Sequence, residues 1–312
     1  MIQAIELDAV GNKWFGEWLV GVRELHPDGT WQTFTPSNSG LPNSRIWAIA
    51  ADNAGNIWFW GEAGPGEENG VSVLHTDGSW VTYNRNNSGL PGCDSDLGPI
   101  DCPVGAIAID ENGNTWFGGW PGVSVLCADG SWDRYTTSNS GLANDHVEAI
   151  ALDGAGNKWF GGGGISVLRA DGSWQVFNTS NSGLAHNVIS SLAIDAEGNI
   201  WAGTYRGSVS VLRTDGSWRT YDNSNPGIND IVHGLAFDPQ GNLWVGRWFS
   251  GVSVMFRDTE KVVSDSPQWV ALNRYRSSYS FTTLVPRGTY SLSVSGARGT
   301  DGIEIPPYAG VT

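Results

Sequence analysis

The sequence predicts an all-β protein, a six-bladed β-propeller with four antiparallel strands per blade and a β-rich C-terminal extension. Its 43 glycines and 14 prolines among 312 residues leave no room for long helices. Short apolar runs of four to six residues alternate with Gly, Asn and Asp turns, as strands do. A GNxW segment also recurs at intervals of 44, 58, 43, 42 and 43 residues, a typical propeller-blade period, at Trp14, Trp58, Trp116, Trp159, Trp201 and Trp244.

The first two strands of each unit flank a turn of the form Dxx-GN. Strand one is a run such as AIAID, strand two is a run such as KWFG, and the turn aspartate can accept local backbone N–H bonds. Small residues alternate with large ones in strand one, as Ala48 and Ala50 do around Ile49. We therefore expect large-on-small packing between blades. The turn aspartates are Asp8, Asp52, Asp110, Asp153, Asp195 and Asp238.

Strands three and four are predicted from a GVSVL run and a run that starts with a second tryptophan. An Asp-Gly pair lies between them in five units, which is a favoured two-residue hairpin turn. SNSGL-type linkers follow the fourth strand and account for six blades over residues 1–275. We expect two rings of six tryptophans between the blades. The second ring would be Trp31, Trp80, Trp132, Trp174 and Trp218, with Trp269 as a degenerate sixth member.

The pattern GNxWFG…GVSVL…DGSW…NSGLP, over about residues 1–257, resembles the two-component-regulator propeller repeat. The resemblance implies a β-propeller of the kind built by periplasmic sensor regions of bacterial hybrid kinases and by many secreted proteins. It implies no shared catalytic residues. The segment SYSFTTLVPRGTYSLSVSG at 278–296 resembles the edge of a carboxypeptidase-regulatory-like, transthyretin-type module, of which at most a fragment would be present.

Charge and cysteine content restrict the partners and the compartment. With 17 basic and 32 acidic residues the net charge is −15, which disfavours nucleic acid as a partner. No apolar run is long enough to span a membrane. Without a signal peptide after Met1, we expect a mature or trimmed form, or a chain made without a leader.

Cys93 and Cys102 are predicted to form a disulfide within an insertion, which favours an extracellular or cell-surface location in a bacterium or archaeon. Cys127 is predicted to be a free thiol.

An aromatic face is predicted where the loops between strands two and three emerge beside the blade linkers. Four of these loops place an aromatic residue four positions after the second-strand tryptophan: Trp18, Trp120, Tyr205 and Trp248. Flat aromatic side chains bury much area at low entropic cost, so this face suits a glycan or a partner protein. The alternative is that the rings only cover loop backbone.

A polar channel mouth is predicted on the same face, where strand one begins. Its residues are Arg45, Trp47, His146, Glu148 and His233, each found in a single blade. Glu148 with His146 or His233 could supply an acid–base pair or metal ligands, and a lyase similar to the streptogramin-inactivating propellers is one alternative. A solvated channel mouth explains the same residues, and no recognised motif is present. We therefore expect no enzyme activity, no metal site and no cofactor.

The tail, residues 276–312, contains three strand-like runs, and a lone hairpin is marginal in water. We expect it to pack on a second copy of the chain, or on its own propeller as a clasp or partial seventh blade. The leading hypothesis is a secreted, non-enzymatic propeller that self-assembles into an extracellular filament through this tail. The alternatives are a sensor-like propeller that binds a glycan or small molecule, and a lyase or hydrolase. The tail side chains proposed to assemble are Tyr279, Phe281, Leu284, Tyr290, Leu292 and Val294.

Overall fold

The computed structural model describes residues 2–61, 70–90, 104–222, 224, 228, 230–248, 251–256 and 268–272. Met1–Ala271 form one compact unit, and of the second unit, Leu272–Thr312, only Leu272 is described. All regular structure in these ranges is β-strand, and none of these residues belongs to a helix that could cross a membrane. The disulfide predicted for Cys93 and Cys102, the tail and its domain boundary lie outside the described residues.

The predicted six-bladed, all-β architecture is confirmed, because the strands form six antiparallel sheets in which sequence neighbours pair. The sixth sheet has β21, β22 and β23 in antiparallel register, with β24 next in strand order. Blades 1 to 3 contain β1 Ile2–Leu7, β2 Lys13–Glu17, β3 Gly21–Leu25, β4 Trp31–Phe34, β5 Ile46–Ala51, β6 Ile57–Gly61, β7 Gly70–Leu74, β8 Trp80–Tyr83, β9 Val104–Ile109, β10 Thr115–Gly119, β11 Gly122–Leu126 and β12 Trp132–Tyr135. Blades 4 to 6 contain β13 Ala149–Leu152, β14 Lys158–Gly162, β15 Gly164–Leu168, β16 Trp174–Phe177, β17 Ile189–Ile194, β18 Ile200–Thr204, β19 Val209–Leu212, β20 Trp218–Tyr221, β21 Val232–Phe237, β22 Leu243–Arg247, β23 Gly251–Phe256 and β24 Gln268–Leu272.

The turn between the first two strands is held by one carboxylate. In blade 4, Asp153 accepts the backbone N–H groups of Ala155 and Asn157 at 3.0 and 2.8 Å, and the Asn157 side-chain amide at 2.7 Å. Gly156 takes a φ of 81°, as the turn requires. The carboxylate also accepts the indole N–H of Trp159 at 2.8 Å. Burial alone would raise the pKa of Asp153, but these bonds outweigh it and hold the pKa below its usual value.

The same aspartate–tryptophan bond occurs in all six blades. The indole nitrogen lies between 2.8 and 3.2 Å from the carboxylate oxygen in each. The turn chemistry is therefore as predicted, and the bond to the tryptophan is a further function of the same aspartate. It satisfies the only polar atom of the indole, so the ring can be buried between blades.

Each blade presents two different apolar faces, which we call the Trp face and the Phe face. In blade 2 the Trp face carries Trp58, Val71 and Val73, and the Phe face carries Ile49 and Phe59. The Trp face of one blade packs against the Phe face of the next, as Trp58 does against Phe117 with ring centroids 6.0 Å apart. Phe59 and Phe117 are each 1% exposed. The predicted packing of large on small residues is found at the first strands, where Ala48 of blade 2 lies in the same apolar cluster as Ile107 of blade 3.

Glycine permits close approach between blades at the end of the second strand. A Cβ on Gly16 would lie 2.8 Å from Cγ2 of Ile46, which begins the first strand of the next blade. Gly161 and Ile189 have the same relationship. In blade 2, Trp60 replaces this glycine, and its buried indole N–H has no hydrogen-bond partner. The insertion that lengthens the 58-residue interval follows this blade.

Among the described residues, the first and last blades do not pack on each other as neighbouring blades do. The innermost strands pack side by side from β1 through β5, β9, β13, β17 and β21, and no comparable packing joins the described strands β21 and β1. The prediction that the second tryptophan ring is buried between blades is therefore wrong for Trp31, which is 57% exposed because no described blade packs on its face. The Trp269 side chain lies outside the described residues.

The interface between blades 1 and 2 contains two carboxylates. Glu6 and Glu24 lie on either side of Trp14 in register, where blade 2 has Ala50 and Val73. Burial raises the pKa of Glu6 to about 7, although the backbone N–H of Ala51 donates to its carboxylate. Burial also raises the pKa of Glu24, against the opposing effect of His26, whose Nδ1 lies 3.4 Å away. This interface is therefore sensitive to pH.

We expect Asp153→Ala to lower the free energy of unfolding by about 2–4 kcal/mol, because it removes a charged acceptor and leaves a buried indole N–H unpaired. Urea denaturation followed by far-UV circular dichroism measures the change. The matched control is Asp171→Ala, since that exposed hairpin aspartate accepts from Ser173 within its own turn. Its loss should stay below about 1 kcal/mol. Equal losses in both variants would contradict a special role for the turn aspartate.

We expect the Glu6 carboxylate to make the folded chain less stable as pH rises. Its pKa is 4.5 unfolded and about 7 folded, so the folded state binds the extra proton between these values. Its contribution is therefore most favourable below pH 4.5 and is lost as pH rises to 7. Glu6→Gln should remove this decline when unfolding is measured by urea at pH 5 and pH 8. The exposed Glu111→Gln is the control, and identical pH profiles for wild type and Glu6→Gln would refute the prediction.

Candidate functional site

The non-repeating polar and aromatic residues lie at one edge of the propeller. In each antiparallel blade the first strand begins opposite the end of the second, as Ile189 does opposite Thr204. The predicted channel mouth and the predicted aromatic face therefore lie on the same side of the ring, which we call the loop face. Backbone bonds hold the aromatic loops there, from Tyr205 N–H to the Val188 carbonyl at 3.2 Å and from Trp248 N–H to the Ile231 carbonyl.

The first cluster on the loop face joins blades 1 and 2. The rings of Trp18 and Trp47 meet edge to face with centroids 5.2 Å apart. The guanidinium carbon of Arg45 lies 4.8 Å from the centroid of Trp18, within the range of a cation–π interaction. All three side chains are half-buried. The cluster thus holds a cation and two aromatic rings in fixed positions while part of each stays accessible.

The second cluster joins blades 4 and 5 around Glu148. His146 Nδ1 lies 3.2 Å from a carboxylate oxygen of Glu148, and the Tyr205 hydroxyl donates a hydrogen bond to the same carboxylate. Burial raises the pKa of Glu148, while His146 and Tyr205 partly offset this. Burial and the nearby carboxylate also raise the pKa of Tyr205. The side chains of this cluster can therefore accept or donate hydrogen bonds at a partly buried position.

The third cluster lies in blade 6. The rings of His233 and Trp248 meet edge to face, with centroids 4.8 Å apart. Desolvation of the ring lowers the pKa of His233. Trp248 is 49% exposed, as is Trp120 in blade 3. Among the described residues, these two indoles are the most exposed aromatic side chains on the loop face.

The structure places the predicted residues in three separate groups rather than around a single pocket. Glu148 has His146 as its neighbour, and His233 is instead paired with Trp248, so the acid–base alternatives reduce to Glu148 and His146. Tyr205, predicted as an aromatic-face residue, also serves as a polar partner. No sequence pattern predicts that bond, because Glu148 and Tyr205 are 57 positions apart in adjacent blades.

Metal binding has no support among the described residues, where no three His, Cys, Asp or Glu side chains come together. Cys127 is half-buried and its Sγ lies 3.8 Å from the carboxylate of Asp133, as expected for a free thiol. Ser190, also near the start of a first strand, is buried, and its hydroxyl donates to the Val232 carbonyl of the next blade. Its role is therefore to join blades 5 and 6.

A family model described as two component regulator propeller matches residues 40–59 and 183–206. These segments combine a blade linker, a first strand and the start of the second, the same register as the GNxW repeat. Over these two segments the chain is similar to the two component regulator propeller repeat, in agreement with the resemblance seen in the sequence. No curated protein matches the chain.

Several solved structures share the propeller fold. The extracellular domain of the putative hybrid two-component system BT3049 from B. thetaiotaomicron has a TM-score of 0.68 at 21% identity, covering 87% of this chain and 34% of that one. Virginiamycin B lyase from Staphylococcus aureus has a TM-score of 0.67 at 15% identity, covering 88% and 85%. PorZ, a surface component of the type-IX secretion system of Porphyromonas gingivalis, has 0.57 at 17%, covering 83% and 39%. The chain thus spans about a third of that extracellular domain, and these similarities show the fold alone.

We expect Tyr205→Phe to raise the pKa of Glu148 further, because it removes a hydrogen bond to the ionised carboxylate. Carbon-detected NMR titration of the Glu148 carboxyl measures the shift. Tyr83→Phe is the control, since Tyr83 stacks on Trp58 in blade 2 and does not contact Glu148. A Glu148 pKa that is the same in wild type and Tyr205→Phe would show that the hydroxyl does not stabilise the carboxylate.

Proposed function

We propose that this propeller is a non-catalytic recognition module that acts outside the cell and binds a glycan on its loop face. The observation that carries the proposal is the arrangement of three aromatic–polar clusters, with Trp120, around one side of the ring. Trp120, Tyr205 and Trp248 are each between 39% and 49% exposed. The proposed extracellular location is supported by the similarity to the extracellular domain of BT3049 and to the surface component PorZ.

Glycans match the chemistry of the loop face. The apolar faces of sugar rings can stack on accessible indoles, and rigid aromatic rings lose little entropy when they are covered. Arg45, Glu148 and His146 offer polar groups beside those rings, and their hydrogen bonds would fix the orientation of sugar hydroxyl groups. An apolar surface with a few convergent polar groups is the usual character of a ligand site.

The net charge of −15 narrows the class of glycan. A strongly acidic protein repels anionic ligands and accelerates association with cationic ones. We therefore propose neutral or amino-sugar glycans rather than sulfated or uronic-acid polymers.

Filament formation through the tail is the hypothesis that the sequence favoured first. Its side chains lie outside the described residues, so it remains a proposal without structural support. A chain that ends at Ser277 tests it, because light scattering would then show loss of large assemblies.

A lyase or hydrolase centred on Glu148 is the second candidate. It is favoured by the 3.2 Å approach of His146 to a carboxylate whose pKa burial raises, which suits an acid–base pair. Glu148→Gln separates the two functions. An enzyme would lose turnover of its substrate, whereas a recognition module has no turnover to lose and keeps the aromatic contacts.

We expect Trp120→Ala and Trp248→Ala each to weaken binding of a neutral glycan by roughly tenfold or more, since aromatic anchors typically contribute above 1 kcal/mol. A glycan array with wild-type protein identifies the ligand, and calorimetry measures each variant. Trp31→Ala is the control, because Trp31 is comparably exposed but begins the fourth strand of blade 1, at the opposite end of that blade. Unchanged affinity in both loop-face variants would contradict the proposal.

A further inference from the structure

Glu148 is a partly buried acid with no lysine or arginine beside it among the described residues. Its side chain is 18% exposed, and its carboxylate interacts there with His146 and Tyr205. A carboxylate that is withdrawn from water without a cation beside it is costly, and a cationic ligand offsets that cost. No other blade places an acid at this position, where the residues are Gln3, Trp47, Gly105, Ser190 and His233.

The loop between the second and third strands of blade 4 carries no aromatic ring. Gly163 takes the position that Trp120 and Tyr205 have in blades 3 and 5. A Cβ on Gly163 would lie 2.8 Å from the Cβ of Asn144, so the blade linker already occupies the space that a side chain would need. The series of loop-face rings therefore has a gap at the blade that carries Glu148.

Aromatic rings from both neighbouring blades flank this gap. The backbone N–H of Val147 donates to the carbonyl of Gly119 at 3.0 Å. This bond holds the loop that carries Trp120 against the segment that leads into Glu148. From blade 5, the Tyr205 hydroxyl donates to the Glu148 carboxylate. Both rings are partly exposed, and the face of an aromatic ring attracts cations, so a negative charge and two accessible ring surfaces are combined here.

We propose that Glu148 binds the ammonium group of an amino sugar whose ring stacks on Trp120. This inference rests on the glycan-binding function proposed above, and it narrows the ligand to glycans that carry a free amine. The ammonium group donates to the carboxylate oxygens, and the apolar face of the sugar covers the indole.

A free amine matches this site better than an acetylated one. An ammonium group has a positive charge and three N–H donors, whereas an acetamido group is neutral and has one. Hydrogen bonds between charged partners are about twice as strong as those between neutral ones. The net charge of −15 acts in the same direction, because it attracts cations to the whole surface. The test therefore needs a variant that removes the same charge elsewhere.

The test compares matched oligosaccharides, with and without the acetyl group, on the full chain. Calorimetry measures the binding of glucosamine and galactosamine pentamers and of their N-acetylated counterparts. We expect the free-amine form of at least one sugar to bind wild type roughly tenfold more tightly than its acetylated form, the effect of one charged hydrogen bond. Glu148→Gln should remove this difference and leave the affinity for the acetylated form unchanged.

Glu111→Gln is the matched control, because it removes the same charge from an exposed turn at the opposite end of its blade, between β9 and β10. It should keep the tenfold difference. Circular dichroism checks that each variant is folded. If Glu148→Gln does not fold, His146→Lys takes its place, since the side chain at this position is 45% exposed and would bring a competing ammonium group to Glu148. The preference for the amine should then be lost.

The other outcomes overturn the inference and separate its failure from that of the proposed function. Binding of acetylated glycans without a preference for the amine would refute the ammonium site and leave glycan recognition intact. A preference that persists in Glu148→Gln, or falls equally in Glu111→Gln, would assign it to the overall charge of the protein. Binding of no oligosaccharide, by calorimetry or on a glycan array, would refute both proposals.

Discussion

One hydrogen bond, from a buried indole to the carboxylate that closes the first turn of its own blade, supports the rest of this structure. It recurs in six blades at 2.8 to 3.2 Å. The carboxylate stabilises the turn, and the turn orients the tryptophan, whose nitrogen can then be buried without an unpaired donor. Local turn chemistry and interblade packing are therefore linked by the same side chain. Six short sheets that would be marginal alone acquire a shared core.

Because the two faces of a blade differ, successive blades all stack in the same orientation around the ring. Within the series, the Trp face of one blade packs on the Phe face of the next. Among the described residues, the Phe face of blade 1 is exposed at Ile5 and Trp31. The Trp face of blade 1 packs on blade 2 and contains Glu6 and Glu24, whose pKa values burial raises. The end blade therefore departs from the repeat where internal blades contain Ala50 and Val73.

The residues of the loop face differ from blade to blade, unlike those of the strands and turns beneath them. The strand and turn residues repeat in most blades, whereas Arg45, Glu148 and His233 each occur once at their positions. Repeating residues build the scaffold, and single ones distinguish one side of it, which is how propellers of one fold can have unrelated functions. The resemblance both to a lyase and to sensor and surface proteins agrees with this separation.

The sequence by itself determined the blade count, the strand order and the turn chemistry, because each depends on contacts within about 45 residues that the repeat makes visible. It also placed the aromatic and polar residues at one edge, since strand direction alternates within a blade. Only the tertiary structure decided which residues meet: Glu148 with Tyr205 and His146, and His233 with Trp248. It also revealed the exposure of Trp31 and the burial of Glu6. Those outcomes depend on how whole blades are positioned in space, and a repeat that is the same in every blade carries no information about which of its faces lacks a neighbour.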